Sequence, residues 1–123
     1  MRNTKFKGFS KDCNDWIFGS LVEKFDTSNM PHSYYEIYSK VNGWWIVEPE
    51  SIGEYTGIND ILENEIYEND IVKMKGGFYD GMIRPISFRN TKFVFGEDTP
   101  IYAYISNMMV VGNTFEKNSI YEN

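Results

Sequence analysis

Apolar and polar residues alternate with period two along most of this chain, the pattern of strands buried on one face. Lys5 to Phe9 reads as a short strand and Asp12 to Asp15 as a polar turn. In Trp16 to Val22 the alternation places Trp16, Phe18 and Val22 on one face. Asp26 to Ser33 carries small polar residues and a proline and reads as a loop. Tyr34 to Ser39 alternates again, and Asn42-Gly43 between two alternating runs predicts a hairpin with a type I′ turn. Pro49 closes that hairpin. A second hairpin is predicted at Asp80-Gly81, and a third pairs IYAYIS with MMVVG around Asn107. Ile71 to Lys75 reads as a strand, and Pro85 marks MIRPISF as an edge strand or a bulged one. The polar tail from Phe115 to Asn123 is expected to fray. Asp60 and Glu63 stand at capping-box spacing, which leaves Asp60 to Tyr67 open between one or two helical turns and a loop.

Strands about ten residues apart with turn signals between them suggest a barrel or sandwich. Composition strengthens this. The chain has 13 Ile and 7 Val against 2 Leu and 1 Ala, and aromatics make up 17% of it. Branched and ring side chains suit a pleated sheet, whereas Ala and Leu are helix formers. The fold expected is all-β, a small partly open barrel of SH3-like type with at most one or two short helical turns. At 123 residues, one domain over 1–123 is the default. Internal repeats and low-complexity segments are absent from the sequence.

Charge narrows the chemistry. The formal net charge is −6, without a basic block, so general duplex binding is disfavoured and nucleic acid is not the favoured partner. Lys5, Lys7 and Lys11 make the N-terminal stretch locally basic, an arrangement expected of a solvated strand edge. With one cysteine, Cys13, and one histidine, His32, neither an intramolecular disulfide nor a zinc site of several Cys and His ligands can form. Cys13 as a nucleophile with His32 as its base would need an electropositive setting that the sequence does not supply; a small thiol and a surface imidazole are expected instead. Neither a membrane-span-length apolar run nor a signal-peptide core is present, so a cytoplasmic protein is expected.

The stretch YTGINDILENEIYENDIVK is acidic enough to suggest a metal cage from Glu65, Glu68 and Asp70. The spacing does not match a calcium loop, and a backbone role is favoured. Asn69 tolerates positive φ, and Asp70 can accept from the amides of a tight turn. Gly53 and Gly57 mark a bulge or a close backbone approach, and no Lys-Ser or Lys-Thr follows them to make a phosphate loop. Asn69, Asp70 and Gly57 are therefore taken as structural turn positions, with no catalytic residue, no metal and no cofactor assigned.

The rings of Tyr34, Tyr35, Tyr38, Trp44 and Trp45 remain. Adjacent residues of a strand face opposite ways, so Trp44 and Trp45 cannot both enter one core. Trp44, Trp45, Tyr34 and Tyr35 are the candidate contact residues of a binding surface.

SIGEYTGIND, EIYENDIVK and the later VVGNTFEKN resemble the YopX family of phage and prophage proteins. The start fits as well, through Lys5, Phe6 and Lys7 with Trp16, Phe18, Gly19 and Leu21. Two departures stand out. The family has Gly where this chain has Asn69, and Asn-Gly where it has Leu62-Glu63. The resemblance implies a mostly β, barrel-like fold and a phage origin, and it implies no reaction. Three functions follow in order. The first is a non-enzymatic module that binds a protein partner or itself. The second is single-stranded nucleic-acid binding by aromatic stacking. The third, with least support, is a metal-dependent enzyme.

Overall fold

The computed structural model describes residues 4–28 and 32–116. Among the described residues the chain is mostly strand, with antiparallel sheets, two short 3-10 segments and no closed barrel. It comprises two compact units, Met1–Glu54 and Tyr55–Asn123.

In the first unit, β1 (Phe6–Ser10), β2 (Asp15–Asp26), β3 (His32–Ser39) and β4 (Gly43–Val47) form a sheet in the order β4-β3-β2-β1. On the far side of β1, Phe6 and Lys7 pair with Glu54 and Gly53, the first residues of β5 (Gly53–Asn59). The core is Ile17, Ile37 and Val47, surrounded by Phe6, Cys13, Leu21, Tyr35, Trp45 and Ile52. The sheet curls enough to bring the end of β4 back to β1. The Glu48 amide donates to the Phe9 carbonyl at 2.8 Å, and Ser51 Oγ accepts the Phe9 amide at 2.7 Å. Gly8 permits this: a Cβ there would lie 2.8 Å from the Val47 Cβ. Pro49–Ser51 forms the first 3-10 turn.

One sequence expectation changes in this unit and one face is settled. Trp16, Phe18 and Val22 share a face of β2 as the alternation indicates, and it is the outer one: Ile17 is buried, while Phe18 is exposed and Trp16 half-buried. The compact branched Ile17 fits against Ile37 and Val47, whereas Trp16 stacks edge-on with Phe9 at 5.7 Å on the other face. The β3–β4 hairpin forms, but its turn is not type I′. Ser39 pairs with Gly43 across a three-residue loop, and only Gly43 has positive φ, at 79°. Ser39 Oγ accepts the Val41 and Asn42 amides, each at 3.2 Å, which stabilises the longer loop. The Asp26 to Ser33 loop falls partly on residues 29–31, outside the described residues.

In the second unit, Tyr55 and Asn59 of β5 pair with Tyr67 and Glu65 of β6 (Glu65–Tyr67), with a register shift between the two pairs. Gly57 lies within that shift at φ 85°, a conformation that costs glycine little. The second sheet runs β10 (Thr99–Pro100), β9 (Lys92–Phe95), β8 (Ile83–Arg89), β7 (Asp70–Met74), β11 (Met108–Asn113). The core contains Ile66, Val72, Met74, Ile86, Phe95, Ile101 and Met108.

Asp60 to Tyr67, open in the sequence between helix and loop, is a turn followed by β6: Glu63 takes φ 67°, outside helical space, and Asp60 binds amides on its own loop and on β11. Three expectations are corrected here. IYAYIS is not a strand. Ile101–Asn107 is a 3-10 segment kinked at Tyr104, and β11 pairs with β7 instead. At three residues per turn Ile101 and Tyr104 share a side, and both pack on the core. Pro85 lies on an interior strand. It is tolerated because β8 changes partners there, pairing with β7 through Ile83 to Pro85 and with β9 from Ile86 onward. The Asp80-Gly81 hairpin has a long loop, in which Asp80 Oδ1 accepts the Gly76 amide at 2.6 Å. Asn90 and Thr91, at φ 52° and 65°, form the two-residue turn with both centres left-handed that was expected at Asn42-Gly43. Most of the polar tail lies outside the described residues.

Candidate binding surface

The first unit's sheet has two faces set by strand alternation. Ile17, Ile37 and Val47 turn to the core, so Trp16, Phe18, Val22, Lys24, Tyr34, Tyr38, Trp44 and Ile46 turn outward. Register aligns them across strands: Phe9 with Trp16, Lys7 with Phe18, Tyr34 with Lys24, Tyr38 with Trp44. Trp44 is 51% exposed, Ile46 46%, Phe18 44% and Tyr38 40%. These are neighbours on one sheet face, and Tyr38 and Trp44 contact with ring centroids 5.1 Å apart.

Cations stand among the rings. Lys7 Nζ lies 4.7 Å from the Trp16 ring centroid and Lys24 Nζ 5.1 Å from that of Trp44. Each such contact contributes about 0.5–1 kcal/mol at an exposed site. Lys24 also bridges Glu36 at 2.8 Å, and that hydrogen bond holds its ammonium above the usual lysine range. This pinning orders Lys24 over the Trp44 indole ring, so the face is preshaped.

The four candidates divide. Trp44 and Tyr34 lie on the outward face. Trp45 packs against the core and donates its indole N–H to the Asn42 carbonyl at 2.8 Å. Tyr35 also packs inward, with its hydroxyl 3.3 Å from Glu23 Oε2. Phe18 and Ile46 were missed. Ile46 was legible, being two residues from Trp44 in a strand; Phe18 was grouped with Trp16 and Val22 on one face of β2, but alternation alone does not say which face is outward.

The acidic corner is a lattice of hydrogen bonds. Asn69 has φ 75°, its amide donates to the Ile86 carbonyl, and its own carbonyl accepts the Thr114 amide. Asp70, 1% exposed, accepts the Tyr67 amide at 2.8 Å and the Asn113 side-chain amide at 3.0 Å. Glu65 accepts the Tyr67 hydroxyl at 2.8 Å. Burial and that carboxylate together push the phenol well above its usual range. Asp60, 3% exposed, accepts the amides of Leu62, Asn64 and Val110 at 2.8–2.9 Å. Burial raises its carboxyl, but the amides of Val110, Asn64 and Leu62 outweigh it and hold the group below the ordinary range. Among the described residues, no three His, Cys, Asp or Glu side chains are arranged to hold a metal. Cys13 lies against the first core, and exposed His32 is 6.2 Å from the Tyr34 ring. Among the described residues no helix is long and apolar enough to cross a membrane.

The family model of the YopX protein matches residues 5–122, nearly the whole chain. No curated protein matches.

Proposed function

The chain belongs to the YopX family, and from that premise we propose that it is a non-enzymatic module that binds a protein partner or a second copy by adding a strand at β4. The observation that carries this is the edge itself. β4 is the terminal strand of the first unit's sheet; beyond it Glu48 is tied back to Phe9, and the stretch before that tie, Gly43 to Ile46 with sequence GWWI, has no charge and no proline. Exposed edges are ordinarily blunted by lysine, proline or a bulge, and an unblunted apolar edge is a template for pairing with another chain. Trp44 and Ile46, outward on that strand, supply the ring and branched side chain that such a partner strand would cover. A phage or prophage origin, an SH3-like partly open barrel and a cytoplasmic location belong to the same reading; the tie from Glu48 to Phe9 supports a barrel-like curl in the first unit.

Ile46→Lys tests it by placing a charge on the edge. Sedimentation and affinity capture are run on the native chain, on Ile46→Lys and on Phe78→Ala, whose side chain is exposed in the second unit. Association that survives Phe78→Ala and disappears in Ile46→Lys supports strand addition. Association that survives both removes it.

A further inference from the structure

Asparagine followed by glycine occurs once in the chain, at Asn42-Gly43, where the β3–β4 loop enters β4. Asparagine is a thermolabile residue, because the backbone nitrogen of the next residue can attack its carboxamide carbon. A side chain on that next residue hinders the approach, and glycine has none. We propose that Asn42-Gly43 is a self-modification site, whose conversion to aspartate or isoaspartate puts a carboxylate at the head of the β4 edge and closes it to strand addition. The closing of the edge rests on the strand-addition reading; the modification does not.

Among the described residues Asn14, Asn42, Asn64 and Asn90 are the exposed asparagines. The Asn64 carboxamide is held by Asp60 Oδ2 at 3.4 Å. Asp15 follows Asn14 and the branched Thr91 follows Asn90, so each shields its own backbone nitrogen. At Gly43 the place a Cβ would take is open, with no atom within 4 Å. Asn42 is anchored through its main chain: its amide donates to Ser39 Oγ at 3.2 Å and its carbonyl accepts the Trp45 indole N–H at 2.8 Å. Its carboxamide is left to swing onto the Gly43 nitrogen.

Water is the sole co-reactant. The Gly43 nitrogen gives up its proton and attacks Asn42 Cγ. A C–N bond forms there, the bond from Cγ to the amide nitrogen breaks, and ammonia leaves with the proton, closing a succinimide. Water then opens the ring at one of its two carbonyl carbons. Opening at Cγ gives aspartate; opening at the main-chain carbon gives isoaspartate, with the chain now running through Cβ and Cγ. Either product adds a negative charge beside Gly43 to Ile46, a stretch that has none, and charge is an ordinary means of blunting a sheet edge. The isoaspartyl form also lengthens the main chain between the paired Ser39 and Gly43 and turns the carbonyl that holds Trp45 into a free carboxylate.

The test ages the intact chain in mildly alkaline buffer, with a urea-unfolded sample beside it. Peptide mapping by mass spectrometry follows conversion at each asparagine, and an isoaspartyl methyltransferase with S-adenosylmethionine labels the isoaspartate. In the folded chain, conversion at Asn42 should be at least about tenfold faster than at Asn14 or Asn90, a barrier lower by about 1.4 kcal/mol. Asn42→Gln, whose longer side chain disfavours the ring, should stop it with an unchanged far-ultraviolet spectrum. Conversion at Asn42 no faster than at Asn14 and Asn90 overturns the site. So does a folded chain that stays intact while the unfolded sample converts. Closing of the edge is read by sedimentation of the fresh chain, the aged chain and aged Asn42→Gln. Association that falls in proportion to the converted fraction, and that aged Asn42→Gln retains, supports it. Association unchanged by full conversion overturns the closing alone. A fresh chain that does not associate overturns the strand-addition reading and the closing with it, while the mass measurement still decides the site.

Discussion

The two units solve the same problem with different residues. The second buries seven apolar side chains in one cluster and ties its loops with buried carboxylates. Among the described residues the first buries three apolar residues in its core, and two of its three tryptophans, Trp16 and Trp44, stand outward. The carboxylates of the second unit accept hydrogen bonds that its loops would otherwise leave unmade. Asp60 links its own turn to β11, and Asp70 links the β6–β7 corner to Asn113. The acidic stretch and the aromatic stretch, both conspicuous in the sequence, therefore differ in purpose: one completes a fold, the other covers a surface.

The largest effects should come from the two cores. Ile66→Ala and Ile37→Ala each empty a site with no solvent exposure and should cost about 2–5 kcal/mol. Amide hydrogen exchange sharpens the contrast. Protection in β7 and β11, beside the larger cluster, should exceed that in β3 and β4, since local opening follows buried apolar contact. Equal protection in the two pairs would break the comparison.

Next come the carboxylates. Asp70→Ala strands the Tyr67 amide and the Asn113 side chain in the interior, and a loss of about 2–4 kcal/mol in chemical denaturation is expected. Asp60→Asn keeps one acceptor oxygen but turns an amide donor toward one of the N–H groups that the carboxylate satisfied. A smaller loss of about 1–3 kcal/mol should follow. Its pH dependence has a definite sign. The folded-state pKa of Asp60 lies below the ordinary value, so its stabilisation is complete above the unfolded pKa of about 3.9 and is lost as pH falls through the folded value. Melting curves from pH 6 to pH 2.5 should show the native chain and Asp60→Asn converging below about pH 4. A gap that widens on acidification would contradict the sign.

What was legible in the sequence follows from these local chemistries. Period-two alternation exposed most strands, and the Asn69-Asp70 corner was readable because positive φ and amide acceptance are properties of single residues. Ile101–Asn107 was not readable, since Ile, Tyr, Ala and Tyr satisfy either a strand or a 3-10 pattern until the core chooses which side to cover. Which face of β2 is buried was not readable for a related reason. Trp16, Phe18 and Val22 present more apolar surface than Ile17, Gly19 and Leu21, and only the close approach of Gly19 to the Tyr38 backbone selects the smaller set for the interior. The type I′ signal was real chemistry at the wrong hairpin: Ser39 accepts two loop amides and so favours a three-residue turn, leaving the two-residue turn to Asn90 and Thr91. At the outward face, alternation required that Trp44 and Trp45 part, but which of them turned inward depended on pairing Trp45 with Ile37.

That parting supplies the smallest predicted effect and the most discriminating one. Trp45 packs on the core and its indole N–H is satisfied by the Asn42 carbonyl, so Trp45→Ala removes packing and a hydrogen bond, at a cost of about 2–4 kcal/mol. Trp44 is half exposed and contacts Tyr38 and Lys24 on the surface. Truncating it uncovers those neighbours but opens no cavity, and a change of about 0.5–1 kcal/mol or less is expected in urea unfolding. If the aromatic face of the first unit serves contact rather than folding, the indole that barely matters to stability must be the one that matters to association. A Trp44→Ala variant as unstable as Trp45→Ala would mean that the outward rings are part of the fold after all, and the division between the two units would no longer hold.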